Sequence, residues 1–212
     1  DLHSFPTRRS SDLMRRNGMT RVVAFAAVSV VASCLYAQVG VGLRDNQYVH
    51  IGYTWKEQWN VTLEHSVFSQ KFSTQYVRFL LSYKQQWSNW NIKAIPYYGT
   101  SYNGDFYNLG MAVDVHWRLL DGWGLTGVVN PHYDSALDYL TCFTAGTDIH
   151  LYKGITFLMQ YSTVPEYRMK EERCKLGLRF AYGNLSVTPM LSVPTDGEGK
   201  HIRLLCSFDF SF

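Results

Sequence analysis

The chain has 212 residues, a formal net charge of +3 and four cysteines, which leaves little basis for a polyanion-binding surface or a disulfide framework. Aromatic residues reach 16%, with 15 Tyr and 12 Phe against 6 Pro, a balance that suits extended strands better than helices.

Residues 1–13, "DLHSFPTRRSSDL", show no apolar periodicity and resemble a translated sequencing-adapter fragment, so they are set apart from the fold. Residues 14–37 read as a secretory signal peptide. Arg15, Arg16 and Arg21 supply a positive start, "VVAFAAVSVVAS" an uncharged apolar stretch, and Ala37 before Gln38 a small-residue cleavage point. The apolar run from Val22 to Ala37 is shorter than the roughly 20 residues of a spanning helix. "VASC" at 31–34 resembles a lipobox, which would make Cys34 a lipidated residue, so two processing routes stay open. Residues 38–212 then form one domain.

From residue 38 onward, apolar and polar residues alternate with period two, the strand period. The pattern predicts twelve strands at about 38–44, 47–55, 59–67, 75–84, 89–99, 107–118, 123–132, 140–151, 155–163, 173–182, 184–193 and 201–212, or ten if the first two do not both pair. Tight connections ("KEQ", "QQWSN", "LLDG", "KG", "GN") alternate with mostly longer polar ones ("RDN", "SQKFST", "TSYNGDFYN", "PHYDSALD", "VPEYRMKEER", "PTDGEGKH"). Consecutive hairpins put the two kinds at opposite ends of a sheet, the asymmetry of a transmembrane β-barrel. The expected fold is therefore all-β: a closed antiparallel up-and-down barrel of about twelve strands.

One face of each strand is free of charge, as in Val49-Ile51-Tyr53-Trp55 and Leu109-Met111-Val113-Val115-Trp117; His65 is the titratable exception, beside Cys174 and Cys206. Such a face suits lipid, where a midplane charge costs about 2–4 kcal/mol, but a soluble core would be equally clean. The tryptophans distinguish the two. Trp55, Trp59, Trp87, Trp90, Trp117 and Trp123 all flank tight turns, as an aromatic girdle at one membrane interface requires. Pro189 falls inside a strand and predicts a bulge, or a register that spares its missing N–H; Pro96 and Pro131 are expected near the long-loop ends.

The chain finishes "HIRLLCSFDFSF", with Phe208, Phe210 and Phe212 on the apolar face. A closed barrel pairs its last strand with its first, so this edge needs no other cover. The pattern resembles the C-terminal assembly signal of bacterial outer-membrane barrels, a terminal aromatic preceded by alternating apolar residues. The resemblance covers residues 38–212 at the level of architecture. It implies a Gram-negative outer-membrane location, contact with outer-membrane lipids and lipopolysaccharide, and delivery by the outer-membrane assembly machinery.

The opposite face carries Glu64, Arg78, Lys93, Asp114, His116, Arg118, Asp148, His150, Lys175, Arg179, Arg203 and Asp209, together with His50 and His132. These are the expected lumen residues, six basic and four acidic apart from histidines. Two readings compete. The lumen conducts small hydrophilic solutes with a mild preference for anions, as in the twelve-stranded sugar-acid porins that this pattern resembles. Alternatively, the charges pair and plug a structural or surface-interaction barrel. A lipid hydrolase is a third reading, but the His-x-Ser spacing of outer-membrane lipid hydrolases does not occur. "DVH" at 114–116 and "DIH" at 148–150 each place an Asp and a His on one face of strands that are not neighbours; they read as interior hydrogen-bond partners, and they also resemble metal ligands, although the separation of the strands gives no coordination site. No cofactor and no nucleic-acid partner is implied, and oligomeric state is left open.

Overall fold

The computed structural model describes residues 37–66, 75–163, 172–195 and 201–212. Nearly all of the proposed leader, and the adapter-like segment, lie outside them. Twelve antiparallel strands run in meander order: β1 (Ala37–Arg44), β2 (Tyr48–Trp55), β3 (Trp59–Ser66), β4 (Tyr76–Trp87), β5 (Trp90–Ser101), β6 (Tyr107–Leu120), β7 (Trp123–Asp134), β8 (Asp138–Tyr152), β9 (Ile155–Ser162), β10 (Arg173–Tyr182), β11 (Leu185–Pro194) and β12 (Arg203–Ser211). The sheet closes between first and last strands, Gly40 opposite Ser211 and Leu43 opposite Phe208, with the Phe212 amide donating to the Val39 carbonyl at 2.8 Å. Twelve strands, rather than ten, form the wall.

Local chemistry sets the tight turns. At Gly154, φ is +73° and a side-chain carbon would strike the Ala181 carbonyl, so both conformation and space demand glycine. The connection after Lys84 is shorter than the sequence suggests, because pairing continues to Trp87 opposite Trp90. At the other end, the β1–β2 turn lies low on the wall. Asn46 compensates: its amide N–H donates to the Cys206 carbonyl at 3.0 Å and its side chain to the Leu204 carbonyl at 3.1 Å, covering an edge of β12 that β1 does not reach.

Polarity is inverted relative to a soluble domain. Ile51 (52% exposed), Phe79, Leu109 and Phe143 stand on the outer wall, whereas Glu64, Ser82, Asn108, Arg173 and Ser192 are buried on the inner one. A soluble sandwich or barrel would reverse this; an apolar exterior around a polar interior is what hydrocarbon demands. All six tryptophans are exposed at the tight-turn end. Trp90 and Trp117 stack there at 5.1 Å with 3° between their planes, and Trp123 Nε1 donates to Thr147 Oγ1 at 2.8 Å. Tyrosines cluster toward the other end of β5–β8: Tyr98, Tyr107 and Tyr139 are exposed, and Tyr107, Tyr133 and Tyr139 are in ring contact. His65, the polar exception on the exterior, contacts the Tyr102 ring at 5.7 Å. Cys142, Cys174 and Cys206 form no disulfide among the described residues.

Three prolines interrupt the ladder in the same way. Pro189 stays in register with Cys206 on β12, but toward β10 the pairing skips from Gly177/Met190 to Phe180/Val187 with no shift. Pro131 keeps its partner Thr141, while Gly110/His132 and Val113/Val129 flank a gap. Pro96 keeps Met111, while Leu80/Tyr97 and Tyr83/Ala94 flank another. Each missing N–H removes one ladder bond without a bulge. Pro96 lies in mid-strand, not near a loop as its sequence context suggested. Bulges occur elsewhere, at Arg118/Leu120 and His150/Tyr152, both beside tight turns.

Candidate functional site: the polar lumen

The inner face encloses a cavity of about 810 Å³, and a second of about 350 Å³ lies toward the tight-turn end between β1–β3 and β10–β12. Seven of the expected lumen residues line the larger one: His50, Arg78, Asp114, His132, Lys175, Arg179 and Asp209. Glu64 is buried against its wall and binds two guanidinium groups, accepting from Arg44 Nη2 at 3.1 Å and from Arg78 Nε at 3.0 Å and Nη2 at 2.5 Å. Both arginines also lie over the Tyr48 ring, and Arg78 over Tyr97. Lys93 and Asp114 face each other across β5 and β6. Lys175 Nζ reaches Asp45 Oδ2 at 2.9 Å. Arg179 is exposed in the cavity wall and has no ion-pair partner among the described residues. Arg118 and His150 stand exposed at the tight-turn end, and Arg203 opposite Ser192 near the other mouth.

The two Asp-x-His pairs lie on strands that are not neighbours, yet they come together. His116 on β6 and Asp148 on β8 meet across β7, Nε2 to Oδ1 at 2.9 Å. Gly124 lies beneath them, and a side-chain carbon there would overlap the imidazole and come within 2.6 Å of Asp148 Oδ1. The device recurs. His50 on β2 crosses Gly42 on β1 to reach Asp209 on β12 at 3.0 Å. Tyr76 crosses Gly99 to donate to Asn108 at 2.5 Å, and Tyr97 crosses Gly110 to donate to Asn130 at 3.1 Å. In each case an inward glycine on the middle strand leaves open the space through which side chains two strands apart touch. Inward-facing glycines in the sequence were the available signal, but their meaning depends on register.

Several lumen residues escaped sequence reasoning. Arg44 and Asp45 sit at a strand end, and Arg173 beside a charged loop. Arg173 is buried, its Nε donating to Ser192 Oγ at 2.7 Å and Nη2 to the His201 carbonyl at 3.1 Å. The β5–β6 connection turns Phe106 inward, where it packs edge-on against Tyr76 at 5.7 Å. No cluster of three or more His, Cys, Asp or Glu side chains suited to a metal occurs among the described residues.

A closed twelve-strand meander with an apolar exterior and a charged, tyrosine-rich interior has the architecture of a small bacterial porin. Solved structures similar to the chain include a KdgM porin in complex with disordered oligogalacturonate, at TM-score 0.62 and 10% identity, covering 83% of this chain and 98% of that one. They also include a second KdgM porin structure at 0.59 and 11% identity, covering 83% and 98%, and a NanC porin at 0.51 and 13%, covering 82% and 97%. No protein-family model and no curated protein matches the chain.

Proposed function

We propose that the protein is a bacterial outer-membrane channel for passive passage of small hydrophilic solutes, with a mild preference for anions and no enzymatic activity. The observation that carries this reading is the cavity of about 810 Å³, lined by charged and polar side chains, inside a wall whose outer face is apolar. The likeness to KdgM and NanC porins supports it. The preference for anions is weak because the cavity lining is nearly balanced: Arg44, Arg78, Arg173, Lys175 and Arg179 against Asp45, Asp114, Asp134 and Asp209. Lys175 is engaged with Asp45, Arg44 and Arg78 with Glu64, and Arg173 is buried against Ser192, which leaves Arg179 as the cation a passing anion meets. Trp55, Trp59, Trp87, Trp90, Trp117 and Trp123 would seat the barrel in lipid beside lipopolysaccharide. Phe208, Phe210 and Phe212 would present the assembly signal.

The refolded protein in planar bilayers tests the proposal. Discrete conductance steps are expected, with a reversal potential that favours anions in a salt gradient. Oligogalacturonate, present in the KdgM complex, is a suitable anionic blocker to try. Absence of steps from folded protein would favour the plugged reading, for which the inward-turned Phe106 and its packing with Tyr48 and Tyr76 speak. A phospholipid or lipid A hydrolysis assay addresses the enzyme reading; activity lost on changing His116 or His150 would overturn the assignment as a channel without catalysis.

A further inference from the structure

The two cavities meet at one level of the wall. Four residues line both: His50, Ala181, Ser186 and Asp209. The strand registers place them in one row, with Ala181 opposite Ser186, Ser186 opposite Asp209, and Asp209 opposite Gly42. His50 completes the row from β2 by lying over Gly42, where its imidazole fills the space a side chain would need. Of the row's members on β10, β11, β12 and β1, three are small and uncharged, so the bulk and charge of this arc reside in the His50–Asp209 pair.

We infer that the His50–Asp209 pair, seated on Gly42, is the constriction that limits conductance between the two chambers and, through its carboxylate, holds the preference for anions to a mild one. The inference rests on the channel reading and assigns that channel its filter. The other three glycine-seated bridges do not occupy this place. Tyr76–Asn108 and Tyr97–Asn130 line only the larger cavity, and His116–Asp148 lines neither. The pair is also accessible, since the Asp209 side chain is 55% exposed while His50 is 18% exposed. A solute passing from one chamber to the other therefore meets a carboxylate already bonded to an imidazole. Removing the ring widens the arc and leaves the carboxylate unpaired; neutralising the carboxylate at constant size removes the row's negative charge.

The test is single-channel recording of wild-type protein, His50→Ala, Asp209→Asn and His65→Ala, the last a histidine on the exterior. Folding of each is verified by heat-modifiable migration. His50→Ala is expected to raise conductance by about twofold or more, because the narrowest section dominates the resistance of a pore. Asp209→Asn should shift the reversal potential toward anions with a smaller change in conductance, and His65→Ala should match wild type. A conducting wild type whose His50→Ala and Asp209→Asn variants behave identically to it would overturn the assignment of the filter and leave the channel standing. A silent wild type beside a conducting His50→Ala variant would support the assignment, with the pair closing the path. Silence of both folded proteins would remove the channel reading and the filter with it.

Discussion

Glu64 offers the sharpest test of the interior energetics. Its side chain is 7% exposed, and Oε2 alone receives Arg44 from β1 and Arg78 from β4. Glu64→Leu would take from both guanidiniums the carboxylate that they share. A charged hydrogen bond contributes about 1.5–3 kcal/mol, and removing one partner of a buried ion pair costs about 3–5 kcal/mol. The two arginines differ in their recourse: the Arg44 side chain is 30% exposed and can rehydrate, whereas Arg78 is 12% exposed and cannot. The lower half of the range follows, about 3–4 kcal/mol, or more than a hundredfold in the unfolding equilibrium. Urea unfolding of the protein refolded in lipid vesicles, followed by tryptophan fluorescence, measures it. Glu64→Gln should lose less, because an amide oxygen still accepts. The double variant Glu64→Leu/Arg78→Met should recover a large part of the loss, because the half-buried charge that Glu64 compensated is removed with it. A loss below about 1 kcal/mol for Glu64→Leu, or a double variant as unstable as the sum of the singles, would refute the claim that this site is desolvated.

Other perturbations probe the wall and the glycine seats. Phe143→Arg on the exterior should cost about 2–4 kcal/mol in vesicles, whereas Thr144→Lys, one residue along and facing the lumen, should change conductance more than stability. Equal destabilisation by the two, in the same urea titration, would contradict the inside-out polarity. Gly124→Val should separate His116 from Asp148 and lower stability by about 1–3 kcal/mol through overpacking, a loss visible as altered imidazole resonances in NMR. An unchanged His116 signal would show that the seat is not required. Pro189→Leu restores an amide at the ladder gap facing β10, so that amide should be protected from hydrogen exchange while overall stability moves by only about 1 kcal/mol. Rapid exchange there would mean that the strands are separated at the gap for another reason.

The inside-out wall was legible from residue order alone. A strand sends successive side chains to opposite faces, so Leu109, Met111 and Val113 had to share one face and Asp114 and His116 the other, whatever the strand's neighbours. The same local rule placed the six tryptophans at one end, because they flank turns, and it brought twelve strands within a residue or a few of their observed limits. It could not show that His116 meets Asp148, or that His50 meets Asp209. Those contacts join strands separated by a third one. They exist only where register brings an inward glycine between them, and register is a joint property of three strands. Pro96 makes the same point: its ladder gap depends on which neighbour its absent N–H would have faced. Covalent geometry thus determined which residues share a side of the wall, and closure of the barrel determined which of them touch.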